Sequence, residues 1–171
     1  MIADGTNTGA PMTTTPIELR GIAIRSRSGA PMATIPSAPV TCLAGVQGDA
    51  RGRPGKRQVT VLSLESWEAA CAELGTLLPW TQRRANLLVS GMVFGPESVG
   101  QLLHFGSLTL EITRETDPCR RMDVACQGLQ AALRPDWRGG VCCRVLSDGA
   151  LEVGQQGRFA PAPAQGTLQL T

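Results

Sequence analysis

The chain has 171 residues, 42% hydrophobic, 18% charged and 4% aromatic, with no tyrosine and a net charge of +2. That length and apolar content specify one globular domain with a substantial core. So small a net charge gives no global electrostatic case for nucleic acid or a membrane surface, and no apolar run approaches the roughly 20 residues of a membrane span.

The N-terminal residues Met1 to Thr8 carry neither a basic region nor an apolar run, so a soluble cytoplasmic protein is expected. The cysteines are Cys42, Cys71, Cys119, Cys126, Cys142 and Cys143. A reducing compartment keeps them as thiols, and the absence of a C-x-x-C pair argues against structural zinc. His104 is the only histidine, which excludes a multi-histidine metal site. Its neighbours Leu103 and Phe105 mark it as structural. Lys56 is the only lysine among sixteen basic residues. Arginine suits bidentate oxyanion contacts, although codon composition is the simpler account of most of them.

Residues 1–15 are small, polar and rich in Gly, Thr and Pro, and read as a tail. Gly9 to Pro16 is echoed at Gly29 to Pro36, too few copies for a repeat architecture. Ile17 to Arg25 is expected as the first strand, with a bulge near Gly21 where the apolar alternation changes phase. Val40 to Ala44 is a short strand candidate. Gly45 to Arg57 is Gly-rich and basic, and is expected as a loop. Gln58 to Ser63 reads as a strand with a second phase change between Val61 and Leu62. A helix follows with Ser63 as N-cap, Trp67, Ala70, Cys71 and Leu74 on one face, and Gly75 at its end. That spacing makes Cys71 a core residue. Arg83 and Arg84 precede a buried strand over Asn86 to Ser90, and Leu102 to Phe105 leads into a turn at Gly106.

Leu108, Leu110 and Ile112 alternate with Thr109, Glu111 and Thr113, a strand pattern. Asp117 as N-cap and Pro118 as the first helical residue then place Cys119 in the first turn of a helix. Free backbone N–H groups and the helix dipole favour an anion there, and Arg120 and Arg121 follow. Both features favour a reactive thiolate. The alternative is a helix-start cysteine that merely packs. Met122, Ala125, Cys126, Leu129, Ala132 and Leu133 share one face. Cys119 lies three residues before Met122, so it is expected to point inward, to the core or a pocket. Gly128 is a candidate break in this helix. Val141 to Ser147 is a strand, Asp148-Gly149 a two-residue hairpin turn, and Leu151 to Val153 the return strand. Arg158-Phe159 begins a last strand, and residues 161–171 read as tail. Seven to nine short, bent strands with two or three short helices predict a mostly β fold, a closed or partly open barrel over residues 16–160.

Three groups could carry chemistry: Cys119 with Arg120 and Arg121; the loop with Gly48, Asp49, Arg51, Arg53, Lys56 and Arg57; and Arg83-Arg84 with Asn86. Such a loop can present N–H groups and guanidinium forks to a phosphate, though it lacks Walker spacing. No aromatics interleave with the basic residues, which disfavours nucleic acid. Thiol-protease chemistry needs a histidine beside the cysteine, and only His104 is available. A thiolate that binds a soft metal or carries sulfur needs none.

The order of several segments resembles the MOSC domain, the C-terminal domain of molybdenum cofactor sulfurases, in its small stand-alone bacterial form. The similar pieces are Gly21 to Arg25 with Gly29-Ala30-Pro31-Met32, Gly45 to Asp49, Arg57 to Leu62, Arg84 to Leu87, Asp117 to Met122, and Gly139 to Gly154. The resemblance implies a mostly β barrel, shared with a barrel of pyruvate kinase, with a cleft and one hallmark cysteine, matched by Cys119. It implies a binding or carrier domain for the molybdenum–pterin cofactor or its sulfur, with Cys119 as metal ligand or persulfide carrier. The family is also associated with pyridoxal phosphate binding. Arg51, Arg57, Arg84 and Arg120 would hold phosphate and pterin oxygens, beside Gly48, while Asp49 and Asn86 would position the loop or hydrogen-bond the pterin. A sulfur donor or an electron-donor reductase is the implied partner. Two alternatives stand beside this: a small molybdenum oxidoreductase acting on N-hydroxylated compounds, and an accessory interaction domain with an inert cysteine. Many members carry His-Gly-Gly after the Gly-Asp loop; this chain has Arg53-Pro54-Gly55-Lys56-Arg57, which places it nearer a shorter subgroup.

Overall fold

The computed structural model describes residues 13–162. Along the chain run β1 (Thr15–Ile24), β2 (Ala33–Ile35), β3 (Ser37–Thr41), β4 (Gly45–Val46), β5 (Val59–Ser63), α1 (Leu64–Leu74), β6 (Leu87–Ser90), β7 (Leu102–Phe105), β8 (Leu108–Glu115), α2 (Arg121–Ala125), α3 (Leu129–Leu133), β9 (Val141–Ser147), β10 (Gly149–Glu152) and β11 (Gln156–Ala160). The expected tails fall mostly outside the described residues, but Thr15 is already in β1, opposite Phe159.

Seven strands close a barrel in the order β1-β11-β7-β8-β9-β5-β6, with β6 returning to β1. All pairs are antiparallel except β5 with β6. That parallel pair needs a crossover, and α1 supplies it. β2 adds to β1 outside the ring, and β10, β3 and β4 form a separate sheet. The β1–β6 register shifts between Leu19 and Gly21, the bulge anticipated from the phase change.

Two cores result. Ile17, Leu19, Ile22, Val59, Val61, Leu110, Ile112, Val141 and Cys143 fill the barrel. Leu62, Leu88, Trp67, Ala70, Cys71, Met122, Leu129 and Leu133 pack outside it, between the β5–β6 wall and the three helices. Hence β5 is buried along its whole length. The apparent phase change at Val61–Leu62 marks a strand buried on both faces, with no register shift in either of its pairings. α1 forms as its sequence dictates: Ser63 Oγ accepts from the Ser66 N–H at 3.3 Å, and Gly75 ends the helix at φ +65°. No helix among the described residues is long and apolar enough to cross a membrane.

Several expectations are corrected. The Val40–Ala44 strand lies earlier, as β3, and the basic loop opens with the short strand β4. Asp148-Gly149 is not a hairpin turn: β9 and β10 do not pair, and β10 lies against β3 instead. The Asp148 carboxylate accepts from the Cys42 N–H at 2.7 Å, which ties the chain to the second sheet. There are eleven strands among the described residues, more than the seven to nine expected, because β2, β3 and β4 are very short or interrupted by proline. The helix after β8 begins at Arg121, not Pro118. Asp117 does not cap it: the residue before the helix is Arg120, and no side chain caps the first turn. Cys119 is therefore in an irregular segment and is exposed, not inward-facing.

Candidate functional site

The segment carrying Cys119 is irregular but anchored. Arg83, only 5% exposed, lies behind it. Its Nη2 donates to the Thr116 carbonyl at 2.8 Å and its Nε to the Gly139 carbonyl at 2.8 Å. Its Nη1 has only the Met122 Sδ, at 4.0 Å. The guanidinium thus clamps the end of β8 to the start of β9. Glycines make the approach possible: a Cβ at Gly139 would lie 2.8 Å from the Thr116 carbonyl oxygen, and one at Gly140 (φ +92°) 2.3 Å from that of Val61. Thr116 Oγ1 also meets Cys142 Sγ at 3.2 Å.

Burial lowers the Arg83 pKa to about 10, and the negative ends of Cys119, Cys142 and Asp117 oppose that drop while Arg57 adds to it. The group remains cationic at neutral pH. Among the described residues it enters no ion pair. A buried cation without a carboxylate partner is costly, so an anion beside it is favoured. Glu115 and Asp117 lie two apart at the end of β8. Desolvation, then the Asp117 charge and a hydrogen bond to Asp117, raise the Glu115 pKa, against the pull of Arg83.

A second basic group adjoins the first. Arg84 has left-handed backbone (φ +66°) at the end of the 3-10 turn Trp80–Arg83. Its Nη2 donates to the Ala30 carbonyl at 2.8 Å. Partial burial lowers its pKa, helped by Arg25, Arg121 and Arg51 and opposed by Asp49. Arg84 and Arg121 line a cleft of about 540 Å³ with Gly29, Pro31, Met32 and Gln82. Arg51, Arg53 and Arg57 line a shallower hollow of about 430 Å³.

The basic loop is held by two buried residues. Asp49, its side chain 1% exposed, accepts from the Arg25 N–H at 2.9 Å and pairs with Arg25 Nε at 3.3 Å. Gln58 donates to the carbonyls of Cys42 and Gly52 and accepts from the Val145 N–H. Thr113 Oγ1 lies against the Lys56 carbonyl. Gly48 (φ +89°) is exposed in the turn before Asp49.

Arg83 feels the charges of Cys119 and Arg57, and Arg84 those of Arg25, Arg51 and Arg121, while only Arg84 and Arg121 line the cleft and Arg51 and Arg57 share the shallower hollow. Arg120 is exposed at the start of α2. Asp49 faces Arg25, so it positions the loop. Asn86 is 2% exposed and lies in the barrel wall, its Oδ1 accepting from Thr60 N–H at 3.1 Å and its Nδ2 donating to Ala23 at 3.2 Å. Sequence reasoning singled out Arg121 beside Cys119 and Arg83 beside Arg84 without giving either a ligand role, and passed over Glu115. The two-residue spacing of Glu115 and Asp117 was the available signal for the carboxyl pair. Nothing in the sequence distinguishes the buried arginine of an Arg-Arg pair from the exposed one. A larger, apolar cleft of about 660 Å³, lined by Trp67, Leu77, Leu78 and Trp80, lies between α1 and the 3-10 turn, away from these groups. No group of three or more metal-ligating His, Cys, Asp or Glu residues occurs among the described residues.

Comparison with known proteins agrees with this architecture. The fold is similar to the crystal structure of YuaD from Bacillus subtilis, with a TM-score of 0.76 and 18% identity over 89% of this chain and all of that one. YiiM from Geobacillus stearothermophilus gives 0.68 and 14%, covering 91% of this chain and 79% of that one. YiiM from Escherichia coli gives 0.64 and 12%, covering 90% and 72%. No curated protein matches the sequence. The family model described as MOSC domain matches residues 25–157, and the chain belongs to the MOSC domain family.

Proposed function

We propose that this domain binds the molybdenum–pterin cofactor or carries its sulfur, with Cys119 as metal ligand or persulfide carrier. The observation that carries the reading is the exposed Cys119 on a segment clamped by buried, cationic Arg83. One protein sulfur, with no further ligand cluster among the described residues, fits a metal whose other ligands arrive with its own cofactor. When bound, that group supplies a soft metal and exchangeable sulfur. Around it the chain's own residues bind and orient: Arg84 and Arg121 offer guanidinium forks to a phosphate in the 540 Å³ cleft, and Arg51 adds its charge from the neighbouring hollow. Asp49 and Gln58 hold the loop that presents Arg51 and Arg57.

The test is co-production with the cofactor, followed by metal analysis of the purified protein. About one molybdenum per chain is expected, retained in Cys126→Ala and lost in Cys119→Ala with the melting curve unchanged. Equal molybdenum in Cys119→Ala would remove the ligand role. Turnover of an N-hydroxylated compound with an added reductase would convert the binding reading into the oxidoreductase one.

A further inference from the structure

We infer that the 660 Å³ cleft beside α1 binds a small lipophilic amine in its ammonium form. The site involves neither Cys119 nor the basic clefts, so it stands or falls independently of the cofactor reading. The chain builds it locally. Gly75 ends α1 in left-handed backbone (φ +65°), and the following residues turn back beside the helix as far as Trp80. On α1, Leu64, Glu68, Cys71 and Ala72 fall at i, i+4, i+7 and i+8, and all four line the cleft.

Two tryptophans also line it, and both are fixed. Trp67 is 3% exposed, and its Nε1 donates to the Leu78 carbonyl at 3.0 Å. Trp80 lies over Gly21 at the β1 bulge, where an added Cβ would come within 2.6 Å of its Cζ2. The cleft is therefore preformed, and its volume is that of a small-molecule site, roughly 300–1,000 Å³.

Charge selects the class of ligand. Glu68 is the one charged residue in the lining. The other glutamates of α1 are committed: Glu65 accepts from Ser63 Oγ and from the Gly91 N–H, and Glu73 pairs with Arg138 at 2.9 Å. Glu68 enters no ion pair among the described residues. A carboxylate beside an apolar, tryptophan-lined cleft complements a molecule with an apolar body and a cationic head. Tryptophan rings attract a cation, the carboxylate adds to that attraction, and no lysine or arginine in the lining competes with it. An anion of the same shape meets repulsion from Glu68, and a neutral molecule forgoes both attractions. The cleft lined by Arg84 and Arg121 has the opposite preference.

The experiment titrates the full chain with phenethylamine, phenylethyl alcohol and phenylpropionate, which present a positive, a neutral and a negative end on similar bodies. Tryptophan emission and calorimetry read the binding. The amine is expected to bind about fivefold more tightly than the alcohol, with the carboxylate weakest. Glu68→Gln, at an exposed helix position, should bring the amine down to the affinity of the alcohol and leave the alcohol unchanged. Raised ionic strength should weaken the amine alone. Ala72→Leu keeps a good helix former at an exposed lining position and should block amine and alcohol alike. Equal affinity for amine and alcohol would make the cleft a plain apolar site and overturn the inference. So would amine binding that survives Ala72→Leu, or no binding by the amine. A dimer that excludes the amine and dissociates in Leu77→Ser would show that a second copy fills the cleft, which also overturns it.

Discussion

Arg83 Nη2 donates to the Thr116 carbonyl at 2.8 Å, three residues ahead of Cys119. The same guanidinium reaches Gly139 through Nε, so one side chain joins the end of β8 to the entry of β9. It is this clamp, not a helix N-terminus, that fixes where the thiol sits. Replacing Arg83 by methionine leaves two buried carbonyls without donors. A stability loss of about 3 kcal/mol is expected by urea unfolding. Limited proteolysis between Thr116 and Arg121 should quicken before the rest of the chain. An unchanged cleavage pattern would show that the segment holds itself.

How far the sequence showed this site depends on the range of the interactions involved. The barrel was legible because β8, with Leu108, Leu110 and Ile112, and α1, with its Ser63 cap, are set by local periodicity and local capping. Cys119 was legible as a candidate, but its setting was not. Asp117-Pro118 has the local chemistry of a helix start, yet the helix begins only at Arg121, and Arg83 holds Thr116 from 33 residues away. Likewise Asp148-Gly149 has the composition of a tight turn, while a bond to Cys42, 106 residues earlier, redirects the strand. Both misreadings come from long-range partners that override local turn and cap preferences.

The Glu115–Asp117 pair makes a pH prediction. The folded Glu115 pKa is raised, so the native state binds more protons than the unfolded chain above the ordinary value of 4.5. Stability from this group therefore falls as pH rises from about that value through the folded pKa. Glu115→Gln removes the penalty. The variant should be more stable than the unaltered protein at pH 7 and lose that advantage towards pH 4, as read by urea midpoints across the range. An advantage that grew on acidification would reverse the sign and refute the pairing.

Asp49 lies beneath the basic loop, its carboxylate bonded to both the backbone N–H and Nε of Arg25. Asp49→Ala strands a side chain 7% exposed with its charge unmatched. A loss of about 3 kcal/mol is expected. Replacing both partners with apolar residues should recover much of it. A double-mutant cycle measures the coupling directly, and additive losses would show that the two residues act separately.

Asn86 sits where β5, β6 and β1 meet. Its Oδ1 accepts from Thr60 N–H and lies 3.2 Å from Thr60 Oγ1, while its Nδ2 reaches the Ala23 carbonyl. These bonds stitch the one parallel pair of the barrel to its neighbour, and they occupy the amide from inside. Asn86→Ala leaves the Thr60 N–H and the Ala23 carbonyl unsatisfied in a dry wall, at a cost of about 2 to 3 kcal/mol. Because Arg84 lies two residues earlier and holds Ala30, loosening this seam also loosens the cleft. Molybdenum content should therefore fall in step with the folded fraction and not beyond it. A fully folded Asn86→Ala that bound no molybdenum would mean that the amide touches the cofactor directly, which its burial argues against.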